Sequence, residues 1–216
     1  CISDIWYWYQ KRVMMKDRQY APINERYEHL YEVMSSQKFK NKEGLGNEVP
    51  FFICPFKPKE YEQIDKMKTQ LFNKLNEMGT SVLEINLYDL AIEILKENGD
   101  FDFLIDEETN MQKDRFKEEL QSNLNLETTF MEEIASIMKS SNFDIMFITG
   151  VGEVFPYIRS HNILNNLQKV ARENPTVMFY PGDYKHSLEK GTSLELFELL
   201  RDDKYYRAFN IYHYEI

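Results

Sequence analysis

Four short apolar runs, each followed by a helical or loop segment, constrain this chain more than any other feature. They are Pro50-Phe51-Phe52-Ile53-Cys54, Ser81-Val82-Leu83-Glu84-Ile85, Asp144-Ile145-Met146-Phe147-Ile148-Thr149 and Thr176-Val177-Met178-Phe179-Tyr180. A continuous apolar run of this length reads as a strand buried on both faces. Such strands alternating with helices imply a mostly parallel sheet covered on both sides, with right-handed crossovers. The expected fold is one three-layer α/β domain over residues 24–216, preceded by an extension over 1–23.

The helices follow from spacing. Residues 24–37 place Tyr27, Leu30, Tyr31 and Met34 on one face, three and four apart. Residues 59–78 bury Ile64, Met67, Leu71 and Leu75, and Gly79 stops them. Residues 87–96 form the next helix, and residues 101–140 form helices broken near 123–125. Ser160 is expected to N-cap a helix running to Arg172, with Ile163, Leu164 and Leu167 inward. Pro55 ends the first strand, and Pro181-Gly182 ends the fourth. Residues 194–200 read as a short helix and residues 205–214 as a final strand. Gly44-Leu45-Gly46-Asn47 reads as a turn.

Composition narrows the class. With 43% hydrophobic and 14% aromatic residues in 216, the chain can bury a core large enough to offset its entropy. No stretch approaches the roughly 20 apolar residues of a membrane span. Two cysteines exclude a disulfide scaffold and a cysteine-based zinc finger, and point to a cytoplasmic protein. The net charge is −10, and residues 101–150 hold 11 acidic against 4 basic residues. That balance lowers the expectation of non-specific nucleic-acid binding, and the acidic block reads as a solvated helical face. The chain opens at Cys1 with an aromatic cluster, Ile5-Trp6-Tyr7-Trp8-Tyr9. Met14 or Met15 is the expected natural start, with residues 1–13 an upstream extension.

In sheets of this type ligands bind at the carboxyl ends of strands. Three ends stand out: Cys54-Pro55-Phe56, Thr149-Gly150-Val151-Gly152-Glu153 and Pro181-Gly182-Asp183-Tyr184. They converge if their strands are neighbours. A phosphate-binding loop needs glycines whose backbone N–H groups point inward, plus a lysine. After the first strand this chain has Cys54-Pro55-Phe56-Lys57-Pro58-Lys59-Glu60, with no glycine and two prolines. The third strand ends in Thr149-Gly150, where a magnesium-binding acid would stand. The layout resembles a P-loop NTPase sheet without its catalytic parts, so ATP hydrolysis is not expected.

Gly150-Val151-Gly152-Glu153 resembles half of a dinucleotide fingerprint but lacks a third glycine at the right spacing. The plainer reading is a tight turn. Arg159 could clamp a phosphate or carboxylate at a helix start, and His161 could act as an acid or base. The plainer reading has Ser160 capping, with His161 and Asn162 bonded to loop backbone. A Ser160–His161 nucleophilic pair is disfavoured, because neighbours on a helix point apart and no nucleophile elbow is present. His29, His161, His186 and His213 make no metal-binding spacing. Tyr205-Tyr206-Arg207-Ala208-Phe209-Asn210-Ile211 could stack bases or dock a partner, but aromatic residues are common in strands. The candidate ligand- or partner-binding residues are Thr149, Gly150, Gly152, Glu153, Arg159, His161, Asn162 and Asn165. No catalytic residue, cofactor or metal is expected.

Four strings together resemble the BrxB family of BREX phage-defence systems. They are residues 44–53, residues 148–167, Val177-Met178-Phe179-Tyr180-Pro181-Gly182 and Tyr205-Tyr206-Arg207-Ala208-Phe209. The similarity runs from about residue 27 to the end. It implies a cytoplasmic component encoded with a methyltransferase, an AAA+ ATPase and the phosphatase-fold protein PglZ. It implies a role in blocking phage replication and in marking host DNA by methylation. It carries no catalytic residue over, and a PglZ-like protein is the partner it suggests, along with other BREX components. Two readings stand: a non-catalytic interaction subunit, or a nucleotide- or nucleic-acid-binding module using Gly150, Gly152, Arg159 and His161.

Overall fold

The computed structural model describes residues 18–45, 49–187, 191–202 and 208–216. In chain order, α1 (Ile23–Ser35) and a single-turn α2 (Gln37–Lys40) lead into β1 (Phe51–Phe56). A 3-10 turn at Pro58–Glu60 opens α3 (Tyr61–Glu77), which is followed by β2 (Val82–Asn86). Then come α4 (Leu87–Glu97), α5 (Phe101–Glu107), α6 (Lys113–Leu124) and α7 (Met131–Ser140), with a wide π turn at Leu126–Phe130. β3 (Ile145–Thr149), α8 (Ser160–Val170), β4 (Thr176–Ser187), β5 (Gly191–Leu196), β6 (Leu200–Asp202) and β7 (Phe209–Asn210) complete the order.

The main sheet runs β2-β3-β4-β1-β7, and every pair in that path is parallel. The path from β1 to β2 crosses with α3 on one face. The steps from β2 to β3 and from β3 to β4 run the other way, with their helices on the opposite face. Reversing both direction and face keeps the crossovers of one hand, as sheet twist requires.

Strand alternation divides the core in two. Phe52, Cys54, Phe56, Phe147, Val177 and Phe179 face α1 and α3. Phe51, Ile53, Met146, Ile148, Met178 and Tyr180 face α4 to α8. The expected stripe Ile64, Met67, Leu71 and Leu75 is buried as read. Asn86 caps α4 by accepting from the backbone N–H of Tyr88 and Asp89.

Several expectations need correction. β1 does not stop at Pro55 but continues through Phe56. Among the described residues β7 pairs β1 at Phe52 and Ile53 and not at Pro55, whose described strand neighbour is Tyr180 of β4, so its missing N–H is tolerated. Pro181-Gly182 does not end β4. Pro181 is its last residue opposite β1, and Gly182 is its first opposite β5, so the dipeptide passes the strand from the parallel sheet to an antiparallel hairpin. Residues 194–200 are therefore not helical: β5 and β6 pair antiparallel there, with Leu194 and Leu196 inward. Ser160 is the first residue of α8 and makes no cap; Arg159 holds the cap position, and the helix ends at Val170. The last strand is only Phe209–Asn210, followed by a 3-10 turn at Ile211–His213. Residues 1–13, Gly46-Asn47 and Tyr205-Tyr206-Arg207 lie outside the described residues.

Candidate functional site

β3, β4 and β1 are adjacent, so the three strand ends do converge. They meet the first turns of α3 in a narrow slot of about 30 Å³, lined by Phe56, Tyr61, Asp65, Lys68, Thr149 and Glu153 among others. A wider, open bowl of about 390 Å³ adjoins it, lined by Pro58, Tyr61, Gly152, Glu153, Pro181 and Phe197. The two share Tyr61, Gly152, Glu153 and Pro181.

A polar network forms the back of the slot. Lys68 Nζ donates to Glu84 Oε1 at 2.7 Å and lies 3.2 Å from Asp65 Oδ1. Thr149 Oγ1 donates to the same Glu84 oxygen at 3.0 Å. Burial works against the Lys68 ammonium, but the bond and charge of Glu84, with those of Asp65, outweigh it and raise its pKa. Lys68 is therefore held in its charged form. Tyr61 Oη donates to Glu153 Oε1 at 2.6 Å across the mouth. That bond, helped by burial, raises the Tyr61 phenol above its ordinary value, so it too stays protonated. Deeper in the sheet, burial pushes the Cys54 thiol up to about 12, against the lowering effect of Tyr212, and so favours its protonated form.

The two loop glycines have structural reasons. Gly150 has φ +71°, and a Cβ there would run into Asn86 Oδ1 and the Tyr88 backbone N, the capped start of α4. At Gly152 a Cβ would lie 2.9 Å from both the Phe197 ring and Pro181 Cγ. The space beside each glycine is thus filled by the protein's own atoms.

Of the expected residues, Thr149, Gly150, Gly152 and Glu153 line the slot together. Arg159, His161, Asn162 and Asn165 line neither the slot nor the bowl. Arg159, Asn162 and Asn165 are exposed, whereas His161 is buried. Tyr61, Asp65, Lys68, Glu84 and Phe197 escaped the sequence reading. Two signals were present: Tyr61, Asp65 and Lys68 are spaced four and three apart directly after a strand end, and Glu84 is a lone acid in an apolar strand. Among the described residues no group of three potential metal ligands is found, and no helix is long and apolar enough to cross a membrane.

Fold and site define a mostly parallel α/β domain that carries a narrow polar slot and an aromatic bowl at the carboxyl edge of its sheet. A family model described as BREX protein BrxB matches residues 83–211. A BREX protein BrxB of Bacillus cereus (strain H3081.97) is 36% identical over 196 residues, covering 88% of this chain and 97% of that protein. A BREX protein BrxB of Escherichia coli O9:H4 (strain HS) is 27% identical over 191 residues, covering 88% and 92%. The chain belongs to the BrxB family and is thereby a component of a BREX system. No solved structure matches it.

Proposed function

We propose that this protein is a non-catalytic interaction subunit of a BREX anti-phage defence system and that it docks a PglZ-like partner through the carboxyl edge of its sheet. One observation carries the reading. The β5–β6 turn projects Leu199 into solvent at 84% exposure, two residues from Phe197 on the wall of the bowl. Phe197 and Glu198 take positive φ of 55° and 61° to make that turn. Such a backbone is disfavoured for residues with a Cβ, so presenting a large apolar side chain on it fits a surface shaped for a partner. Tyr61, which lines the bowl, is 47% exposed, and Leu200 beside Leu199 in sequence is 44% exposed.

We read the sheet as a P-loop NTPase-like frame without its phosphate loop. Pro58 opens the turn after β1 and offers no N–H, while Lys68 is held by carboxylates. The filled glycine positions and the protonated Lys68 and Tyr61 support a binding role over chemistry. The test is co-expression with the neighbouring PglZ-like protein, followed by size-exclusion chromatography with light scattering. Co-elution as a defined complex is expected, and Leu199→Asp is expected to separate the two proteins. Separate elution of the natural pair would overturn this choice of partner.

A further inference from the structure

We infer that the bowl at the carboxyl edge binds an arginine side chain presented by the protein partner. The inference rests on the interaction reading above and adds the chemistry of the contact. It is lined by the aromatic residues Tyr61 and Phe197 and by the prolines Pro58 and Pro181. Flat and apolar surfaces of this kind suit the aliphatic stem and planar head of arginine.

The charge of the site points the same way. Among the described residues, the charged side chains lining the slot and bowl are Asp65, Lys68 and Glu153, and Glu84 bonds Lys68 from behind. Lys68 is already held by Glu84 and Asp65, while Glu153 bonds Tyr61 and no cation among the described residues. Glu153 is exposed at the mouth and belongs to both cavities. Among the described residues only its Oε1 is engaged, by Tyr61. Its other oxygen is available to a guanidinium N–H. An entering phosphate would meet these same carboxylates, which disfavours a nucleotide at this edge. The Tyr61 hydroxyl bonds the same carboxylate and draws on its negative charge, so it tempers affinity while its ring lines the bowl.

The test titrates the isotope-labelled full chain with Nα-acetylarginine amide, and separately with AMP, following backbone amide signals by NMR. Expected are saturating shifts at Gly152 and Glu153, with a Kd on the order of 1 mM for so small a probe. Glu153→Gln keeps an acceptor for Tyr61 and is expected to weaken binding about tenfold, in line with losing a charged partner. Tyr61→Phe keeps the ring, releases Glu153 and is expected to tighten binding, a direction that mere structural damage would not produce. The inference is overturned by absence of shifts at saturating probe, by indifference to Glu153→Gln, or by AMP moving the same amides more strongly. Because the probe is small and no partner is present, this result is independent of co-elution.

Discussion

The two faces of the sheet are held by different means. The face under α4 to α8 is an apolar cluster that includes Leu90, Ile94, Phe130, Ile134, Leu164 and Leu167. Its helices connect β2, β3 and β4, so chain connectivity already places them. The opposite face is covered by α1 and α3 together with the chain's end, and its helix α1 must find residues far along the sequence. There, directional bonds join the pieces. His29 meets the backbone carbonyl of Ile211 at 3.1 Å, Asn210 Nδ2 donates to Gln19 Oε1 at 2.9 Å, and Cys54 donates to Tyr212 at 3.4 Å. Arg26, 2% exposed, pairs with Glu60 at 3.2 Å. Where connectivity does not place an element, buried polar bonds specify its position, at the risk that losing one partner strands the other.

The largest effect is expected on the apolar face. Leu164 is fully buried in that cluster, and Leu164→Ala removes its packing and leaves a cavity. A loss of about 2–5 kcal/mol is expected from a urea unfolding series. A much smaller loss would mean that α8 repacks easily and that this face is looser than its burial implies.

Glu60→Gln tests the other face. It leaves the buried Arg26 guanidinium without its countercharge, while Glu60 itself is partly exposed. A loss of about 1–3 kcal/mol is expected, below the value for a fully enclosed pair. Pairing Arg26→Met with Glu60→Leu should recover much of that loss, because a buried ion pair specifies geometry more than it stabilises. If the double variant is worse than the single one, the pair is itself stabilising and the contrast between the faces narrows.

A change of pH should act on the polar face first. Burial lowers the His29 pKa, the Ile211 carbonyl opposes that, and the Arg18 charge adds to the lowering. Arg18 Nη1 lies 2.9 Å from Nδ1 and donates to it, so Nε2 carries the proton that bonds Ile211. The neutral ring is the one the fold holds. Its contribution is fully present above about pH 6.5 and is lost as pH falls through the lowered folded value. Hydrogen exchange should show α1 loosening at acid pH before α8 does, and His29→Gln should flatten that difference. Simultaneous loosening of both helices would place the titration elsewhere.

The same contrast explains what could be read from sequence. β1, β2 and β3 are apolar runs, and α3 and α4 have clear stripes, so local pattern and tertiary role agree. The β4–β5–β6 hairpin was hidden because Leu194, Phe197 and Leu200 also fit a helical spacing; pairing with the extended second half of β4 decides the matter. At the site, Thr149 to Glu153 stood out because glycines and polar residues interrupt an apolar pattern. Asp65 and Lys68 did not, since charged residues on an amphipathic helix ordinarily face water. Only the turn of α3 against Glu84 gives Lys68 an inward role, with the exposed Asp65 bonded beside it. Arg159, suited by chemistry to an anionic ligand, stands exposed at the start of α8 and outside the slot and bowl.

The smallest stability effect is expected at Leu199, which belongs to neither face. At 84% exposure its side chain has little burial to lose, so Leu199→Asp should change folding stability by no more than about 0.5 kcal/mol. The β5–β6 turn around it is tied by the backbone bonds Glu198 N–H to Glu195 carbonyl, 3.2 Å, and Leu199 N–H to Leu196 carbonyl, 3.1 Å. An aspartate leaves those bonds in place. The variant therefore separates docking from folding: loss of the partner with unchanged unfolding behaviour assigns Leu199 to an interface. A substantial loss of stability would instead show that this turn is part of the fold's own support, and its exposure would no longer argue for a partner.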